Sequence, residues 1–180
     1  MKRADLVVGP NGAGKSTFVA LTLAPLLPRS VFVNADEIAK QRWPDDPLSH
    51  AYDAARVASE TRSRLIELGR SFIAETVFSH PSKLDLVHAA RAADYTVVVH
   101  VLLIPEDLAL ERVSRRGRAG GQDVPEEVAT AATASDTATV YDNSRRDGPR
   151  IVARMSGGIA VGSWSWPSWT PESLRSCWPG

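Results

Sequence analysis

The sequence predicts a three-layer α/β protein in which helices flank a mainly parallel five-stranded sheet that ends in a C-terminal hairpin. Three observations carry this. Short apolar runs alternate with stretches of helical periodicity along most of the 180 residues, the pattern of parallel strands joined by right-handed helical crossovers. The longest apolar run, Thr96 to Ile104, reads as a central strand covered on both faces. Near the end, Ser156-Gly157-Gly158 separates two short extended runs, which is a hairpin signal.

Taken in order, the first strand spans about Asp5 to Val8 and runs into a glycine-rich turn, Gly9 to Gly14. A helix follows from about Lys15 to Ala24, closed by Pro25 and Pro28. Ser30 to Val33 gives a short buried strand that ends in Asn34-Ala35-Asp36-Glu37. Between Leu48 and Leu68, Ala51, Ala54, Ala55, Ala58, Leu65 and Leu68 recur at helical spacing, and Gly69 ends the run. Ser71 to Ala74 forms the third strand and leads into Glu75-Thr76. Pro81-Ser82 opens a helix through about Ala93, and the central strand comes next. Pro105-Glu106-Asp107 then starts a helix with a proline and acids in its first turn, ending in arginines before Gly117. An alanine- and threonine-rich segment precedes a fifth strand near Ala138 to Tyr141. Arg150 to Met155 and Ile159 to Gly162 form the hairpin, and a short helix is expected from Pro171 to Ser176. Trp164, Trp166, Trp169 and Trp178 crowd the tail. Large aromatics are usually placed for buried area, so packing against the domain is favoured over a dedicated partner patch.

Composition sets limits on function. At 180 residues one domain is expected, with residues 1–144 as its core and 145–180 as hairpin and tail. The 43% hydrophobic and 23% charged content is that of an ordinary soluble globular chain. The formal net charge of zero offers no global field toward nucleic acid or an anionic membrane. Met1-Lys2-Arg3 leads directly into the first strand without a secretory apolar region, and Cys177 is the only cysteine, so a cytoplasmic chain without intrachain disulfides is expected. His50, His80, His88 and His100 have no metal-ligand spacing. His100, inside an apolar strand, reads as a core histidine.

The chemistry centres on Gly9-Pro10-Asn11-Gly12-Ala13-Gly14-Lys15-Ser16-Thr17, the P-loop spacing in its proper setting of strand, turn and helix. Gly9, Gly12 and Gly14 let the backbone curl so that N–H groups, including those at Asn11 and Ala13, face a polyphosphate. The following helix points its positive end at the same phosphates. Lys15 can reach the β- and γ-phosphates, Ser16 can offer its hydroxyl to Mg²⁺, and Thr17 is placed for the α-phosphate. Ligands of parallel sheets bind at the carboxyl ends of the strands, which puts Asp36 and Glu75 on the same rim as the P-loop. Asp36 can take the proton of an attacking hydroxyl, although Asn34 or Asp36 can equally cap the helix that begins near Glu37. Glu75 can serve Mg²⁺, a metal-bound water or substrate, with Thr76 bonding phosphate or acceptor; the plainer reading is a solvated acid. Arg112, Arg115, Arg116 and Arg118 suit either a lid that neutralises the migrating phosphoryl group or a solvated basic face.

The ordered set of Gly9 to Thr17, Val33-Asn-Ala-Asp-Glu-Ile-Ala39, Ser71-Phe-Ile-Ala-Glu-Thr-Val77, Gly120-Gly-Gln-Asp-Val-Pro125 and Tyr141-Asp-Asn-Ser144 resembles the zeta toxin family of P-loop kinases. The resemblance covers about Asp5 to Ser144. It implies a P-loop kinase-like fold and ATP-dependent phosphorylation of a sugar hydroxyl on UDP-N-acetylglucosamine, starving cell-wall synthesis, often with a cognate antitoxin over the ATP site. On that pattern Asp36 matches the base, Glu75 the acid after the third strand, Lys15 and Ser16 the phosphate and Mg²⁺ contacts, and Arg118 a lid arginine; Arg112 and Arg116 are the further candidates for ATP. Two departures stand out. Val77 replaces a threonine found in some members. Glu126 to Ser144 contains no lysine or arginine, where related chains carry a longer basic helical segment. This predicts a shortened lid, and with it a chain that binds ATP but transfers phosphate slowly.

Overall fold

Asp5 to Val8 lie in the strand around which the sheet is laid out. In the computed structural model, which describes residues 1–76, 82–114, 126–176 and 178, β1 (Arg3–Val8) pairs in parallel with β3 (Phe72–Thr76) on one side and β4 (Thr96–Leu103) on the other. β2 (Val31–Val33) pairs in parallel with β3, and β5 (Thr137–Asp142) with β4. Two antiparallel strands, β6 (Arg150–Ser156) and β7 (Ile159–Ala160), complete the order β2-β3-β1-β4-β5-β6-β7. The five parallel strands and the hairpin are thus those predicted from sequence.

Alternation along each strand divides the core in two. Ala4, Leu6 and Val8 face one layer, formed by α3 (Ala35–Arg42), α4 (Ala51–Glu67), α5 (Ser82–Ala92) and α7 (Glu126–Ala134). Val7, with Ile73 and Leu102, faces the other, where Phe18, Val19 and Leu23 pack with Ala109 of α6 (Glu106–Ser114). Asp5 points to this second side, wholly buried. Its carboxylate accepts from Arg3 Nε at 2.7 Å and Nη2 at 2.8 Å, and lies 2.9 Å from His100 Nε2. His100 is therefore a satisfied core histidine, as its strand context predicts.

Three local features depart from, or add to, the sequence reading, and the tail agrees with it. The helix after the P-loop begins as α1 (Lys15–Phe18), widens into a π-helical turn at Val19–Leu23 and ends as α2 (Ala24–Leu26). Pro25 lacks an N–H, and its ring would collide with the carbonyl four residues back in a regular helix; the wider turn relieves that clash. β2 is only partly buried, not wholly as predicted: at the sheet edge, Val33 is buried while Phe32 is 40% exposed. The alanine- and threonine-rich segment, left without an element by the sequence, is helix α7. Its Val128, Ala129, Ala131 and Ala132 are buried in the layer shared with α5, β4 and β5. The tail packs as predicted, with Trp178 buried and Trp164, Trp166 and Trp169 half-buried against the core; a short helix, α8 (Glu172–Ser176), precedes Trp178.

Candidate active site

The P-loop geometry follows from its glycines. At Gly9, φ is 151° and a Cβ would stand 2.4 Å from the Leu102 carbonyl oxygen, so only glycine lets β1 turn over β4 here. Gly14, at φ 83°, caps α1 in the left-handed region, and a Cβ there would meet Asn143 Nδ2 at 2.7 Å. Ala13 is buried behind the loop, whereas Asn11, on the cleft side, is half-buried.

Lys15 is only 7% exposed, and its Nζ donates to the carbonyls of Gly9 and Pro10, both at 3.0 Å. Burial holds its pKa below the ordinary lysine value, against the opposing pull of Glu75 and Asp36. Next to it, exposed Ser16 Oγ donates to Glu75 Oε1 at 3.1 Å. The other Glu75 oxygen accepts from Asn34 Nδ2 at 2.6 Å. Asn34 is also the α3 cap, its Oδ1 accepting from the backbone N–H of Asp36 at 2.7 Å and Glu37 at 3.2 Å. Of the two capping alternatives, the structure thus selects Asn34. Thr17 is exposed in the first turn of α1.

Lys15, Asp36, Glu75 and Thr76 line one cleft of about 170 Å³, together with Arg62 of α4. The strand order explains this convergence. Asp36 follows β2 and Glu75 ends β3, both on one side of β1; Arg112 and Asn143, from beyond β4 and β5, stand on the other. Arg112 Nη1 donates to the carbonyls of Gly12 at 3.2 Å and Asn143 at 3.4 Å, while Asn143 Nδ2 donates to the Ala13 carbonyl at 2.7 Å. Arg112 therefore braces the loop's backbone. Arg115, Arg116 and Arg118, along with Val77, lie outside the described residues.

Three residues escaped the sequence reading as site residues. Asn34 reads from sequence only as a cap, and nothing local announces its second bond to Glu75. Asn143 follows the fifth strand on the ligand rim, a positional signal that was available. Arg62 had the plainest signal: with Ala54, Ala58 and Leu65 it falls on the buried stripe of α4, a charge where the pattern calls for an apolar side chain.

Gly9 to Ser16 on this parallel sheet, with a buried lysine and a hydroxyl bonded to a carboxylate, define a P-loop protein with a kinase-like α/β fold. Residues 6–138 match the family described as AAA domain, and the chain belongs to that family. Among solved structures it is similar to one from the PezAT chromosomal toxin-antitoxin system of the human pathogen Streptococcus pneumoniae, at 15% identity and TM-score 0.61, over 98% of this chain and 82% of the other. It is also similar to a chain of the AvrRxo1-ORF1:-ORF2 structure with ATP, at 14% identity and TM-score 0.62, over 89% of this chain and 60% of the other. A chain of the Pnkp1/Rnl/Hen1 RNA repair complex matches at 21% identity and TM-score 0.52, over 74% and 43%. The chain thus spans well under the full length of the latter two, and at such identities the likeness is one of fold. No curated protein matches it in sequence.

Proposed function

We propose that this chain is an ATP- and Mg²⁺-dependent kinase for a hydroxyl of a small metabolite, acting in the cytoplasm. The acceptor favoured by the zeta toxin resemblance is a sugar nucleotide such as UDP-N-acetylglucosamine. One observation carries the reading: Lys15, the Ser16–Glu75 pair and Asp36 converge on one cleft beside the P-loop. The P-loop N–H groups and Lys15 hold the triphosphate. Asp36 takes the proton of the acceptor hydroxyl as its oxygen bonds to the γ-phosphorus; the bond from that phosphorus to the β,γ-bridging oxygen breaks, and ADP leaves.

The residues fit Mg²⁺. Ser16 Oγ and Glu75 Oε1 are hard oxygen donors 3.1 Å apart at the mouth of the loop. Among the described residues no group of three or more His, Cys, Asp or Glu is assembled as a metal cage. Mg²⁺ needs none, because it is usually held by one or two protein oxygens, substrate phosphates and waters. When bound it neutralises charge on the β- and γ-phosphate oxygens. A cognate antitoxin covering the ATP site is the partner this reading implies; neither nucleic acid nor a membrane is, and no described helix is long and apolar enough to cross a membrane.

Purified protein, incubated with MgATP and a panel of sugar nucleotides and other alcohols, tests the proposal. The expected result is one phosphorylated acceptor, with Asp36→Asn slowing turnover at least 100-fold while MgATP affinity stays within a few-fold. Normal turnover by Asp36→Asn on that acceptor would refute the assignment of the base. A second reading, an ATP-binding protein of low turnover that acts through a partner, rests on the stretch 126–144, which has no lysine or arginine. Packing gives that stretch another cause: α7 buries Val128, Ala129, Ala131 and Ala132, positions that exclude charge. Turnover of wild type no faster than Lys15→Ala, with tight MgATP binding, would favour the second reading.

A further inference from the structure

Arg62 is 6% exposed, and among the described residues it makes no hydrogen bond or ion pair. Burial alone lowers its pKa from the ordinary arginine value, yet a guanidinium remains charged throughout the range in which proteins fold. A buried cation without a partner destabilises a fold, so a chain that retains one has a site that is completed by something else. The side chain lines the cleft of Lys15, Asp36 and Glu75. Ala58 and Ala55, one and two turns earlier on the same face of α4, line it too and leave room in front of the guanidinium.

The charge balance of the cleft points the same way. Asp36 places a carboxylate where the acceptor must sit, and in the kinase reading Lys15 and Glu75 serve the nucleotide's phosphates and Mg²⁺ rather than the acceptor. An acceptor that carries an anion would be repelled there unless a cation met it. We propose that Arg62 binds an anionic oxygen group, phosphate or carboxylate, on the acceptor and so selects alcohols that are already negatively charged. This deepens the kinase reading and rests on it for the hydroxyl's position beside Asp36. A planar guanidinium bonds either oxyanion in bidentate fashion, and such a charge-assisted bond is worth about a tenfold or larger preference.

Calorimetry tests this with matched pairs: N-acetylglucosamine 1-phosphate against N-acetylglucosamine, and glycerate against glycerol, each with and without MgAMP-PNP. The two pairs separate phosphate from carboxylate. Wild type is expected to bind at least one anionic member ten or more times more tightly than its neutral partner. Arg62→Met, which keeps the packed stem, should lose that preference, bind MgAMP-PNP within twofold of wild type and melt no lower. Arg62→Lys should restore part of the preference. Equal or undetectable binding of both members of each pair to wild type, or an undiminished preference in Arg62→Met, overturns the proposal. Failure of MgAMP-PNP to bind wild type would instead refute the nucleotide reading, and the titrations made without nucleotide would still decide the role of Arg62.

Discussion

Gly14 shows how much one residue carries. Its φ of 83° is in the region that costs an L-residue roughly 1–2 kcal/mol, and a Cβ would displace the Asn143 amide from 2.7 Å. That amide is the donor to the Ala13 carbonyl, so the substitution also loosens the loop. Gly14→Ala is expected to weaken MgATP binding at least tenfold by calorimetry and to lower stability by about 1–3 kcal/mol in urea unfolding. Unchanged affinity would mean that the loop does not need this conformation to hold phosphate. The need for glycine here was legible from spacing alone. Asn143 as the neighbour that enforces it was not, because it lies 130 residues from Ala13, whose carbonyl it bonds.

At the scale of elements, α7 is the instructive case. Its start, Pro125-Glu126-Glu127, carries the same pattern of proline and acids as Pro105-Glu106-Asp107, a helix signal that reading the segment as the remnant of a longer lid passes over. In the fold its small side chains let the helix approach α5, β4 and β5 closely, and Ala131 and Ala132 are wholly buried. Ala132→Leu is therefore expected to overpack this layer and cost about 1–3 kcal/mol, read as a lower midpoint in urea at unchanged slope. A midpoint equal to wild type would place the segment outside the core. The helix after the P-loop teaches a related lesson: the sequence ends it at Pro25, whereas a π-helical turn absorbs the proline and continues to Leu26.

For the whole molecule, the sheet is pinned by a buried charge network as well as by apolar packing. Burial alone would raise the pKa of Asp5, but the hydrogen bonds from Arg3 and His100 outweigh it and hold the carboxyl below its ordinary 3.8. A carboxyl depressed in the fold contributes stability that is present above the unfolded value and lost as pH falls through the folded one. The unfolding free energy of wild type should accordingly drop as pH falls below about 4, and Asp5→Asn, less stable at pH 7, should show a flatter acid limb. Parallel acid limbs in the two proteins would remove Asp5 from the account. His100 was legible as a core residue from its strand; the acid it meets was not, since Asp5 and His100 come together only when β1 pairs with β4.

The sequence by itself determined what is local. Alternating apolar runs specify strands and helices, the glycine spacing specifies an anion-binding turn, and the strand ends carry Asp36 and Glu75 because parallel sheets present those ends on one rim. Only the tertiary structure decided which groups meet. The bonds from Ser16 and Asn34 to Glu75, the brace of Arg112 and Asn143 behind the loop, and the burial of Arg62 without a partner among the described residues all depend on strand order and helix packing. Those are set by long-range burial of apolar faces, a collective quantity that no short stretch of chain encodes.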